Sequence, residues 1–222
     1  MQAMADCAHC MFEKRLCRIP GGDHIVSCAT LRHAREARDA QKEYKREDVH
    51  EFAAQASRQE RSCYGDVPGQ PGTHCPLKPR VVETMEFCHR MGYRKLGLAF
   101  CGGLHREANI VAQMLSAQGF EVCSVMCKFG GADKSRLGLS EDEKICGGGH
   151  ETMCNPIGQA LVLNEEKTDF NILLGLCVGH DSLFLKYSQA LCTVLAVKDR
   201  LLGHNPLAAV YASETYYKYL KG

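Results

Sequence analysis

The chain has 222 residues, 14 of them Cys, and 27 Lys and Arg stand against 26 Asp and Glu for a formal net charge of +1. That balance excludes the basic excess of a nucleic-acid-binding surface and the acidic excess of a solvating tail. With 45% hydrophobic residues the chain can fill one good-sized α/β core with a small appendage, and the lack of Trp disfavours a stacking platform for bases or sugars.

The first ten residues, MQAMADCAHC, show neither the apolar stretch nor the cleavage site of a secretory leader. The longest apolar run, Ile172 to Val178, is too short to span a bilayer. The expected setting is therefore the cytoplasm, with no membrane and no nucleic-acid partner. In that reducing compartment a Cys-rich pattern points to metal binding or catalysis before disulfides.

In chain order, residues 1–30 come first. Cys7, Cys10, Cys17 and Cys28 place four thiols within 22 residues, and Pro20-Gly21-Gly22 lets the chain turn back so that Cys28 closes the set. The turn of a Cys-x2-Cys pair aims two sulfurs at one point, as a tetrahedral zinc or an iron–sulfur cluster requires. The spacing matches neither a zinc ribbon nor a ferredoxin run, so zinc and iron–sulfur both stay open; His9 and His24 are candidate substitutes. Four unrelated cysteines are the bland alternative, and four thiolates without a shared ion would repel one another.

Residues 31–62 are charged, with Leu31, Ala34, Ala37, Tyr44, Phe52 and Ala56 near helical spacing, which predicts a long solvated helix. The Gly/Pro-rich stretch 64–79 reads as a linker, with Cys63 and Cys75 near its ends. The expected organisation is a Cys knuckle plus charged helix over 1–63, the linker over 64–79, and an α/β domain over 80–222.

From residue 80 helix and strand patterns alternate. A helix ends before Gly92, and Lys95 to Phe100 reads as a buried strand. Leu104, Ala108, Val111 and Leu115 form a helical stripe closed by Gly119. Phe120 to Cys127 is a second strand, followed by a long Gly-rich loop from Phe129 to Met153. Asn155-Pro156 starts a helix, Phe170 to Leu176 is a third strand and Thr193 to Val197 a fourth; Asp181 and Asn205-Pro206 read as caps of the intervening and final helices. This alternation predicts a Rossmann-like parallel sheet of about four strands with helices on both faces, in the order second-first-third-fourth.

Ligands of such sheets sit outside the carboxyl ends of the strands. Cys101, Cys127 and Cys177 each close a strand, and Cys154 stands just before a helix start. The four are expected to face one crevice and bind a cofactor, since chance burial must otherwise place all four at the functional edge. Cys88, Cys123 and Cys192 fall inside elements and read as small packing residues; Cys146 lies in the long loop. Lys128, Lys198, Asp199, Arg200, His105 and His180 rim the same edge, either as a solvated charged border or as ligands of a small anionic substrate. Among them His180, Lys198 and Asp199 are the candidate acid–base groups. Cys101-Gly102-Gly103-Leu104-His105 is not the glycine fingerprint of a dinucleotide site, so nucleotide binding is not expected.

Gly97-Leu98-Ala99-Phe100-Cys101, Ser124-Val125-Met126-Cys127-Lys128, Cys154-Asn155-Pro156-Ile157, Thr168-Asp169-Phe170-Asn171, Gly175-Leu176-Cys177-Val178-Gly179-His180-Asp181 and Val197-Lys198-Asp199-Arg200 carry a family resemblance. Over nearly its whole length the chain resembles the Cys-rich, predicted metal-binding proteins of anaerobic bacteria and archaea known as domain-of-unknown-function 1847. Cys7, Cys10, Cys17 and Cys28 resemble that family's leading knuckle. Ala190-Leu191-Cys192 departs from the Ala-Pro expected there. The resemblance implies metal binding without a known reaction.

Two functional expectations follow. The first is a metal-binding protein, zinc or iron–sulfur, with a knuckle site and a second site at the strand ends. The second is an iron–sulfur enzyme: a 4Fe–4S cluster on three strand-end thiolates would leave one iron open for desulfidase-like, sulfur-handling chemistry, with His180, Lys198 or Asp199 moving protons.

Overall fold

The computed structural model describes residues 4–221, and the chain divides into two compact units, Met1–Arg61 and Ser62–Gly222. The first unit opens with a single 3-10 turn over Cys7–His9 and an irregular loop that folds back on itself. Leu16 N donates to Asp23 O at 2.9 Å and Asp23 N to Lys14 O at 2.7 Å, so the Pro20-Gly21-Gly22 reversal is pinned at its base. Gly21 takes the left-handed conformation, φ +73°, and a Cβ on Gly22 would stand 2.5 Å from Lys14 O, so both glycines are required.

The helical segment that follows departs from the single helix expected over 31–62. It forms α1 (Ala29–Arg32), α2 (Ala34–Glu43) and α3 (Glu47–Ser62). His33 leaves helical geometry at φ −114°, ψ 39°, and α2 stops at Tyr44. Arg46 then bridges the gap: its guanidinium donates to Glu43 at the end of α2 and to Asp48 in the first turn of α3, each at 3.0 Å. Glu47 and Asp48 add negative charge at the positive end of α3. Periodicity shows which face of a helix is apolar but not where a mostly polar helix breaks.

In the second unit the Gly/Pro-rich segment read as a linker is an antiparallel hairpin, β1 (Tyr64–Val67) with β2 (Gln70–Pro76). Val67 pairs with Gln70 across Pro68-Gly69, and Gly69 has φ +77°. A proline followed by a left-handed glycine suits the two central places of a type II turn.

The remainder is α4 (Arg80–Arg90), β3 (Lys95–Phe100), α5 (His105–Ala117), β4 (Glu121–Met126), α6 (Pro156–Glu165), β5 (Phe170–Leu176), α7 (His180–Tyr187), β6 (Cys192–Val197) and α8 (Leu207–Tyr211). The four strands β3 to β6 form one parallel sheet in the order β4-β3-β5-β6 flanked by helices, a Rossmann-like arrangement with the expected strand order. Every residue of β5 is buried, as a central parallel strand covered on both faces requires.

Leu96, Leu98, Ala99, Leu163 and Phe184 are fully buried at the centre. Asp169 fixes the start of β3 by accepting from Arg94 N and Lys95 N at 2.7 and 2.8 Å. Gly97 leaves room for the buried Asn171 amide, whose Oδ1 would stand 2.0 Å from a Cβ there. Asn155 caps α6, accepting from Gly158 N at 2.8 Å, with Pro156 in the first turn. The N-cap of α7 is Gly179 at φ +82°, not Asp181, whose carboxylate accepts from its neighbour Ser182 N. Among the described residues no helix is long and apolar enough to cross a membrane.

Candidate functional site

The parallel register delivers the strand-end cysteines to one edge. Phe100 is paired with Met126 and, on its other side, with Leu174. The next residues, Cys101 and Cys127, therefore leave β3 and β4 side by side. Cys127 N donates to Phe100 O at 2.9 Å, Cys101 N to Leu174 O at 3.0 Å, and Asn155 N to Cys127 O at 2.7 Å, so the segment bearing Cys154 is joined to the end of β4. Beneath them Gln159, fully buried in α6, donates its Nε2 to Phe100 O and Val125 O at 3.2 and 2.6 Å. That amide ties β3 to β4 where the strands part. Sequence reading missed Gln159, because a glutamine in a helix gives no sign of burial.

Three sulfurs meet here. Cys127 Sγ lies 3.9 Å from Cys154 Sγ and accepts a hydrogen bond from Gly102 N at 3.3 Å. Cys101 is hydrogen-bonded to the same thiol. Cys127 is buried, while Cys101 and Cys154 are half-buried. The hydrogen bond with Cys127 is the main force lowering Cys101 and Cys154 to about 5; Lys198 adds to it at Cys101, Lys128 and His180 at Cys154. Cys127 is pushed the opposite way by those two neighbours and by burial. These opposed shifts favour a proton on the central thiol and thiolate character on its two neighbours, in a positively charged surrounding of the kind that activates cysteine.

The cations reach in from separate elements. Lys198 follows β6, and its Nζ would lie 3.0 Å from a Cβ on Gly103, so that glycine keeps its path to Cys101 open. Lys128 Nζ donates to Thr152 O across the foot of the long loop. At the end of β5, Cys177 is half-buried and accepts from Arg200 Nη2 at 3.0 Å. His180 heads α7. Asp199 is engaged with the backbone around it: its Oδ1 accepts from Leu201 N and Leu202 N at 3.1 and 2.8 Å, and its own N donates to His204 Nδ1 at 3.1 Å. A carboxylate engaged with two backbone amides organises the turn after β6.

The loop between Cys127 and Cys154 is ordered by its own contacts. Asp133 accepts from Ser135 N and Glu151 N, which with Lys144 nearby hold its carboxyl well below the usual carboxylate range. Lys144, its side chain 3% exposed, donates to Glu141 and to Gly149 O. Met153 N returns to Ala132 O at 2.8 Å. Cys146 is exposed and its N donates to Glu151.

The knuckle cysteines are arranged differently. Cys10 N donates to Cys7 O, closing the Cys-x2-Cys turn, and Asp6 N donates to Ser27 O at 3.3 Å, which brings the neighbours of Cys7 and Cys28 together. Cys7 and Cys17 are exposed, Cys10 is half-buried and Cys28 is buried. His9 is hydrogen-bonded to Asp6. As the side chains stand, no group of three or more His, Cys, Asp or Glu that could hold a metal ion occurs among the described residues, at the knuckle or at the strand ends. Cys88 is fully buried in α4, and burial pushes its thiol up to about 12. Burial also raises Cys123 and Cys192. These three pack, as expected. Cys75 lies half-buried in β2, and Cys63 is buried.

Comparison with known proteins places these features in a family. A family model described as "Protein of unknown function (DUF1847)" matches residues 28–195. The matched stretch contains Cys28, Cys101, Cys127, Cys154 and Cys177, while Cys7, Cys10 and Cys17 precede it and Lys198 to Arg200 follow it. The uncharacterized protein MJ0455 of Methanocaldococcus jannaschii is 51% identical over 150 residues, covering 68% of this chain and 76% of that protein.

Proposed function

The chain belongs to the DUF1847 family of proteins of unknown function, and from that premise we propose that it is a thiolate metal-binding protein whose principal site is Cys101, Cys127 and Cys154, with Cys177 at the adjacent strand end as the further candidate donor. The observation that carries this reading is the 3.9 Å separation of Cys127 Sγ and Cys154 Sγ. Zinc–sulfur bonds of 2.3 Å in a tetrahedron place their sulfurs about 3.8 Å apart. Gly102 N–H on Cys127 Sγ is the kind of amide contact that steadies a ligating sulfur. An ion would displace the Cys127 proton and draw in the third sulfur by side-chain rotation.

A soft, thiolate-preferring cation fits this donor set, and it would hold the ends of β3 and β4 to the start of α6. Lys198, Lys128 and His180 offset the negative charge of the thiolates. The close sulfur pair favours two cysteines on one metal ion over a 4Fe–4S cluster, in which each cysteine takes a different iron and the sulfurs spread further. The knuckle, Cys7, Cys10, Cys17 and Cys28, is proposed as a second site with a structural role, supported by the turns that close it on itself.

The test is anaerobic purification followed by zinc, iron and sulfide analysis and cobalt(II) titration. Thiolate-to-cobalt absorption should survive Cys7→Ser with Cys10→Ser at reduced stoichiometry, and should fall further in Cys101→Ser with Cys154→Ser. Zinc-free protein that gains no cobalt–thiolate absorption would overturn the reading.

A further inference from the structure

The foot of the long loop carries more than a ligand pair. We infer that Cys127 and Cys154 form a redox-active dithiol that exchanges with small anionic disulfides. The two residues lie on segments joined by the Asn155 N to Cys127 O bond of 2.7 Å, and their sulfurs stand 3.9 Å apart, both as free thiols. Side-chain rotation is enough to bring sulfurs so placed to the bond distance of about 2.05 Å. Their access differs: Cys127 is 4% exposed and covered by the Gly102 amide, whereas Cys154 is half-buried and open to a partner. Access assigns the order of events.

Cys154, as thiolate, attacks one sulfur of a disulfide RSSR. The S–S bond breaks, a Cys154–S–S–R bond forms, and RS⁻ departs. Cys127, as thiolate, then attacks Cys154 Sγ, forms the Cys127–Cys154 bond and releases the second RS⁻. The proton of Cys127 passes to one released thiolate, and the other takes its proton from solvent, as the Cys154 thiol had given one up before the attack. The chain loses two electrons and the small disulfide gains them, giving two RSH. Lys128 follows Cys127 and reaches Thr152 O beside Cys154, Lys198 Nζ lies over Gly103, and Arg200 donates to Cys177 at 3.0 Å, so a disulfide carrying carboxylates is favoured over a cationic one.

This inference uses the same sulfurs as the proposed metal site but does not rest on bound metal, and zinc separates the two. The full chain, reduced and freed of metal without oxygen, is incubated with oxidised glutathione or with cystamine, alkylated and mapped by peptide mass spectrometry. Tryptic peptides holding Cys127 and Cys154 also hold Cys123 and Cys146, so the mapping is repeated in Cys123→Ser with Cys146→Ser. The expected result is a Cys127–Cys154 cross-link retained in that double variant and formed about tenfold faster with oxidised glutathione than with cystamine. In Cys127→Ser, Cys154 should instead accumulate a glutathione mixed disulfide.

A cross-link through Cys123 or Cys146, or unmodified Cys154 in the unsubstituted chain, would overturn the inference; the latter reading needs no variant to fold. Cross-linking at an unchanged rate with added zinc removes the metal reading and leaves the exchange standing. Zinc uptake by these thiols with no cross-link in zinc-free protein does the reverse.

Discussion

The knuckle and the strand-end group gather cysteines by opposite routes. Cys7, Cys10, Cys17 and Cys28 are close in sequence, but the loop that bears them is shaped mainly by local backbone turns and two of the four thiols are exposed. Cys101, Cys127 and Cys154 are far apart in sequence, yet a parallel sheet, a helix cap and one buried amide bring their sulfurs together. Sequence density of cysteine is thus a poor measure of organisation. Long-range packing positions thiols without the help of a ligand, whereas a local knuckle would draw much of its order from any ion it bound.

The sharpest way to break that contrast is to weaken the packing itself. Leu98→Ala, at a fully buried position of β3, should cost about 2–5 kcal/mol. Chemical denaturation followed by circular dichroism would measure the loss, and the Cys127–Cys154 cross-link should become less efficient with it. An unimpaired cross-link at that cost in stability would mean that the sheet does not position the pair. Next in size is Gly22→Ala. Its Cβ would meet Lys14 O at 2.5 Å and Arg15 O at 2.8 Å, so the knuckle reversal must shift, at about 1–3 kcal/mol. Cobalt uptake by the knuckle should weaken while uptake at the strand ends stays unchanged.

The smallest effect concerns protons. Cys101 and Cys154 are lowered to about 5, well below the ordinary range of a thiol. Since the thiolate is the nucleophile, their alkylation in metal-free protein should sit on its plateau at neutral pH and fall only as pH drops toward 5. Lys198→Met should move the Cys101 profile upward in pH and leave Cys154 nearly unmoved, as site-resolved alkylation would record.

Much of the second unit was legible in the residues. Phe170 to Leu176 is an unbroken apolar run, which marks a strand buried on both faces, and the glycine, Asn and Pro signals around it bounded the neighbouring elements. Placing Cys101 and Cys127 at one edge followed from the strand ends, and placing Cys154 there from the Asn155-Pro156 helix start beside it. The hairpin at 64–76 was hidden because Pro68-Gly69 suits a linker and a turn equally. That two backbone amides donate to Asp199 Oδ1 was likewise not legible, because the turn after β6 leaves no pattern in the residues. Whether sulfurs gather around an ion depends on side-chain rotation, and spacing in a sequence carries no information about that.

The loop from Phe129 to Met153 leaves the sheet and returns to the same place, tied at its foot by Lys128 to Thr152 and inside by Asp133, Lys144 and Glu151. Such a segment is modular. Its closure entropy changes slowly with length, so drift can lengthen, shorten or exchange it while the pair of sulfurs at its root and the strands below remain. The fold thus leaves the loop free to change in length and sequence without moving the strand ends beneath it.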